Sequence, residues 1–122
     1  MAAQPEQQWV GVGAWICSQF FLWRGAAHRH FGIRNHDRDE FIRAVEDYTR
    51  ALTLNPLLGP AYLQRGVLYW RELDQAKDAV NDLTSALQVR PDWPEALFCR
   101  GLALQAVGNW HGAISDLNRY LI

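Results

Sequence analysis

The sequence predicts an all-α fold, a stack of three helix hairpins, and three observations carry that prediction. An Arg-Gly pair recurs at Arg24-Gly25, Arg65-Gly66 and Arg100-Gly101. Each pair is followed by a segment that opens on alanine and carries an aspartate three residues later: Ala44 and Asp47, Ala79 and Asp82, Ala113 and Asp116. The alanines are 35 and 34 residues apart, and self-similarity at such a period marks stacked supersecondary units. No strand pattern competes with the helical one, and no low-complexity segment interrupts it.

The elements follow in chain order. Residues 1–8 read as a flexible tail, and residues 9–122 as one domain with units at about 9–56, 57–91 and 92–122. The leading helix is expected over about Trp15 to Phe31, its start blurred by Gly11 and Gly13, since each glycine costs about 1 kcal/mol inside a helix. The spacing breaks next. Gly101 to Ala113 takes 12 residues and Gly66 to Ala79 takes 13, but Gly25 to Ala44 takes 19. The excess is placed at 33–38, as a polar insertion in the turn. Asp37 and Glu40 have the spacing of a capping box, which starts the second helix there and carries it to about Leu54, where Asn55-Pro56 stops it.

Gly59-Pro60 opens the third helix, with proline in its first turn, and this helix runs to about Arg71. Its partner spans about Asp74 to Val89. Asp92, Pro94 and Glu95 form another cap signal, for a helix over about 93–107. Gly108-Asn109 is a stop–start pair before a last helix over about 110–121.

A period near 34 with these landmarks resembles the tetratricopeptide repeat (TPR) family, and the resemblance covers about residues 15–122. It implies an α-solenoid of antiparallel helix–turn–helix units in a right-handed superhelical stack. In that family the first helices line the concave side and the second helices form the back. Setting Gly25, Gly66 and Gly101 equivalent places Leu22, Ala26, Arg29 and His30 of the first unit toward the groove. The second unit contributes Leu63, Val67, Trp70 and Arg71, and the third Glu95, Phe98, Leu102 and Gln105. Trp and Arg are the usual hot-spot residues, which singles out Trp70 and Arg71. The competing reading buries Leu63, Val67 and Leu102 between hairpins.

The resemblance also implies what is missing. The family's best-known ligand mode grips the C-terminal acidic tail of a chaperone with Lys, Arg and Asn. The corresponding positions here are Leu22, Ala26, Gln64, Val67, Glu95 and Cys99, none basic and one acidic, so no such clamp is expected.

Composition and motifs argue against other function classes. A formal net charge of −1 supplies no basic face for nucleic acid. The first eight residues carry no positive charge and so form no secretory n-region. The apolar run from Trp9 to Trp23 falls short of the roughly 18–20 residues of a membrane span and reads as a buried helix, with lipid contact as the alternative. A cytoplasmic protein is the expectation. Cys17 and Cys99 read as buried free thiols. Ser18, Ser85 and Ser115 lack a nucleophile-elbow context, and Gly11 and Gly13 do not continue into a phosphate loop. His28 and His30 are two apart and point to different faces of a helix; with His36 they read as helix-end histidines favoured by the dipole. No catalytic residue, metal or cofactor is expected.

Asp47, Asp82 and Asp116 recur in register, which marks a repeat feature, either a solvated face or an inter-helix bond. Arg24, Arg65 and Arg100 form either a basic ladder or partners for those carboxylates. The function expected is a non-catalytic module binding a protein or peptide in the concave groove. The alternative is homo-oligomerisation through the last repeat (Leu117, Tyr120, Leu121) or the apolar N-terminal helix.

Overall fold

The computed structural model describes residues 5–121, with side chains from residue 11 onward. Six helices follow one another: α1 (Pro5–Asn35), α2 (Arg38–Leu54), α3 (Gly59–Arg71), α4 (Ala76–Val89), α5 (Pro94–Ala106) and α6 (Trp110–Leu121). They pair as α1–α2, α3–α4 and α5–α6. The hairpins join through α2–α3 and α4–α5, and α3 also touches α1 and α5 along one side. This is the three-hairpin solenoid. Helix α1 includes residues 5–8, which the sequence reading assigned to a tail; residues 1–4 lie outside the described residues.

Each hairpin closes on a glycine. A Cβ on Gly25 would lie 2.7 Å from the Tyr48 ring, and one on Gly66 would lie 2.9 Å from Leu83. On Gly101 it would lie 3.0 Å from Leu117. Tyr48, Leu83 and Leu117 each stand four residues beyond the repeat alanine, one turn along the same face. The register read from the sequence is therefore the packing register.

The insertion expected at 33–38 is not a turn. Helix α1 runs on to Asn35 and α2 begins at Arg38, so the extra residues are helical. The reason is geometric. Helix α1 runs ten residues past Gly25 where α3 runs five past Gly66, and α2 begins six residues before Ala44 where α4 begins three before Ala79. Gly32 and Phe41 lie seven residues beyond Gly25 and Tyr48 toward the tip, and they repeat the same contact, at 2.8 Å. Phe41 packs there with Ala44, Tyr48, Leu68 and Leu73.

The turn needs few residues. His36 takes a positive φ, and the Asp37 carboxylate accepts the Asp39 amide to cap α2. Glu40 does not close the expected capping box. It bonds His28 and Arg43 instead. At α5 the cap position falls to Trp93, with no side-chain bond, and Pro94 sits in the first turn; Asp92 is one residue too early. Gly108, at φ +85, and Asn109, whose side chain accepts the Gly112 amide, act as the stop–start pair.

From residue 11 onward the apolar run in α1 is helical and largely exposed up to Phe20, apart from buried Ser18, while Phe21 and Leu22 pack on the core. Trp15 and Ile16 are 57% and 55% exposed, and Val12, Phe20 and Cys17 are exposed as well. The Gly25–Tyr48 register puts residue 18 opposite the end of α2, so earlier residues have no α2 partner to cover them. Cys99 is half-buried, and burial pushes its thiol above the usual range. Among the described residues, no helix is long and apolar enough to cross a membrane.

Candidate functional site

The three repeat arginines pair with the three repeat aspartates. Arg24 donates to Asp47 through Nε and Nη2 at 2.9 and 2.7 Å. Arg65 does the same to Asp82 at 2.7 Å through both nitrogens, and Arg100 to Asp116 at 2.6 Å. Such bidentate forks are among the stronger side-chain bonds. Burial raises the Asp82 carboxylate above its usual value, against the pull of Arg65. Arg65 also reaches Thr49, and Arg100 reaches Thr84, both on the preceding hairpin. The arginines therefore lock hairpins internally and to one another. They are not a ladder for a partner.

A groove lies on the side where the first helices meet. Its hollow measures about 390 Å³. Helix α3 supplies Leu63, Gln64, Val67 and Arg71; α5 supplies Pro94, Glu95, Phe98 and Cys99. Arg29 enters from α1 and Tyr120 from α6. Phe98 is 40% exposed and stacks against Tyr120 with ring centroids 5.2 Å apart. A second hollow of about 100 Å³ shares Arg29, Val67 and Arg71 and runs on to Ile33, Leu68 and Glu72. The floor is ordered by the Tyr48 hydroxyl, which donates to Gln64 Oε1 at 2.7 Å. Burial pushes that hydroxyl up to about 12, and the Arg29 guanidinium beside it opposes the rise.

Of the residues read from the sequence as groove-facing, the hollow brings together Arg29, Leu63, Val67, Arg71, Glu95 and Phe98. Leu63 is nonetheless buried, and Val67 packs partly on the core. Trp70 is half-buried against the same core and does not line this hollow. Leu22 packs on the buried clusters of the first hairpin. Leu102 is half-buried; Gln105 is exposed. Tyr120, read from the sequence as a self-association residue, belongs to the groove. Leu117 faces Gly101 inside the third hairpin. Gln64 and Cys99 also line the hollow; the clamp comparison had named both positions as non-basic.

The histidines do not cluster. His28 Nδ1 lies 2.6 Å from Glu40 and its Nε2 lies 3.7 Å from Asp47, while His30 and His36 are exposed. Among the described residues no group of three or more His, Cys, Asp or Glu is arranged to hold a metal.

Fold and groove together define a helical-repeat protein with a concave face. No family model matches the chain. The second TPR domain of Spaghetti (RPAP3), bound to the HSP90 peptide SRMEEVD, superposes with a TM-score of 0.84 at 21% identity, over 95% of this chain and 93% of that one. The Arabidopsis OM64 TPR domain gives a TM-score of 0.76 at 23% identity, over 88% and 83%. A FAM10 family protein of Arabidopsis thaliana is 36% identical over 78 residues, 64% of this chain and 18% of that protein. Tetratricopeptide repeat protein 28 of Homo sapiens is 34% identical over 80 residues, 66% of this chain and 3% of that protein. The chain thus spans under a fifth of the length of these two relatives. It has the tetratricopeptide repeat fold, as its resemblance to that family implied.

Proposed function

We propose that this chain is a non-catalytic protein–protein interaction module that binds a peptide or helix in its concave groove. The observation that carries the reading is the hollow between α3 and α5, where the exposed ring of Phe98 stands beside Val67 and Arg71. Exposed apolar surface set among polar groups is the usual mark of a binding site. Similar TPR structures that hold an HSP90 peptide support a peptide-sized occupant for such a groove. The test is a selection of displayed 12-residue peptides on the 122-residue protein. Binders should weaken at least 10-fold on Phe98→Asp, with helicity kept by circular dichroism. Binders indifferent to Phe98→Asp would place the site elsewhere.

A second reading, self-association, rests on register. Ala51 and Leu52 in α2, and Ala86 and Leu87 in α4, are buried. The equivalent residues of α6, Tyr120 and Leu121, are 43% and 78% exposed. Light scattering behind size exclusion tests it: a dimer that Leu121→Glu returns to monomer supports the reading, and a wild-type monomer at high concentration removes it. Leu117 is unsuitable for this test, because a charge there would break the third hairpin.

A further inference from the structure

We infer that the groove takes an internal stretch of a partner chain carrying a side-chain carboxylate, held by Arg29 and Arg71 beside an apolar residue that seats on Val67 and Phe98. This rests on the peptide-groove reading above and names the chemistry of the occupant.

The argument starts from an unfilled hydrogen bond. Arg29 Nε is buried without a hydrogen-bond partner, and buried donors are ordinarily satisfied. Neither Arg29 nor Arg71 has an ion-pair partner among the described residues. The arginines of the repeat register behave differently, since Arg24, Arg65 and Arg100 each grip a carboxylate through two nitrogens. Arg29 and Arg71 line the same two hollows from neighbouring helices, α1 and α3. Two guanidinium groups without carboxylates at the junction of an apolar hollow are complementary to a carboxylate, which suits the planar fork of arginine.

The surroundings narrow the ligand further. Leu63, Val67 and Phe98 give the larger hollow its apolar wall, so a hydrophobic neighbour of the acidic residue is accommodated there. Two carboxylates flank the junction, Glu95 in the larger hollow and Glu72 in the smaller one. They disfavour a ligand with several acidic residues in a row and favour a single, placed one. Across Arg29, Val67 and Arg71 the larger hollow adjoins the smaller one, which Ile33 and Leu68 line beyond them. A chain can pass through, so the acid is a side chain within a segment.

The experiment selects 12-residue peptides displayed with both ends joined to the carrier, using the full 122-residue protein. The result expected is one position enriched in Asp or Glu next to an apolar position. The best binder, synthesised with acetylated and amidated ends, should lose at least 10-fold on Arg29→Met, and as much when its acidic residue becomes the amide. The two changes together should cost little more than either alone. Arg71→Gln gives a second, exposed site for the same measurement, should Arg29→Met disturb the fold. Glu95→Gln should tighten binding two- to fivefold. Apolar peptides without an acidic position, still lost on Phe98→Asp, would overturn the carboxylate inference and leave the groove reading standing. Binders that ignore Phe98→Asp, or no binders at all, would overturn both. A requirement for a free C-terminal carboxylate in solution would overturn the internal-segment assignment.

Discussion

The first hairpin and the two that follow solve the same packing problem with different materials. In the second and third, a glycine faces one leucine, Gly66 against Leu83 and Gly101 against Leu117. In the first, two glycines a heptad apart face two aromatic rings, Gly25 against Tyr48 and Gly32 against Phe41. The longer seam carries its own polar staple as well, His28 between Glu40 and Asp47. The difference shows how a solenoid absorbs extra residues. The added residues lengthen both helices at the tip, by five in α1 and three in α2, and leave the Gly25–Tyr48 contact and every side chain below it on its face. The longer α1 also carries Ile33 to the smaller hollow, three residues past the register at which α3 and α5 end.

The largest separation between the hairpins should come from filling the glycine seams. Alanine at Gly25 would press a methyl against a fully buried aromatic ring, at 2.7 Å from Tyr48 Cε1. Overpacking of that kind costs about 1–3 kcal/mol, and alanine's better helix propensity returns about 1 kcal/mol. Gly32→Ala against Phe41 should behave alike. At Gly101 the approach is 3.0 Å to Leu117, a half-buried side chain that can turn aside, so Gly101→Ala should be close to neutral. Urea unfolding of the variants measures the contrast. Equal midpoints for Gly25→Ala and Gly101→Ala would mean that the aromatic seam is no tighter than the leucine one.

The same comparison explains what the sequence disclosed. The Arg-Gly and Ala-to-Asp landmarks carried the register, because the residues that recur are those that touch: Arg65 with Asp82, Gly66 with Leu83. Stops at Pro56 and Gly108 were legible because proline and a positive-φ glycine act locally. The first hairpin's length was not legible, since Gly32 and Phe41 declare their partnership only once both helices are extended. Nor was the exposure of Trp15 and Ile16, which depends on where α2 ends. The groove was legible to the level of helix faces. Bulk decided the rest: Trp70, at a groove-facing register position, lies against the core, and Phe98 stands out from it. Tyr120 was assigned by its place in the last repeat, while its ring stacks on Phe98.

The smallest expected effect concerns the staple that only the first hairpin has. The bond from His28 holds the Glu40 carboxyl below its ordinary value of 4.5, against the cost of burial and with a lesser pull from Arg43. A carboxyl whose folded value is depressed stabilises the fold above its unfolded value, and that contribution is lost as pH falls through the folded one. Wild type should therefore exceed His28→Gln in melting temperature at about pH 6, by no more than a few degrees. The gap should close as pH falls through the depressed Glu40 value, once the carboxyl is protonated in both proteins. Proton-detected titration of the Glu40 carboxyl should show its midpoint moving up toward the ordinary value in His28→Gln, with Arg43 holding part of the shift. An unmoved midpoint would assign the depression to Arg43 alone. The longer hairpin would then be held by its glycine–aromatic seam without help from the staple.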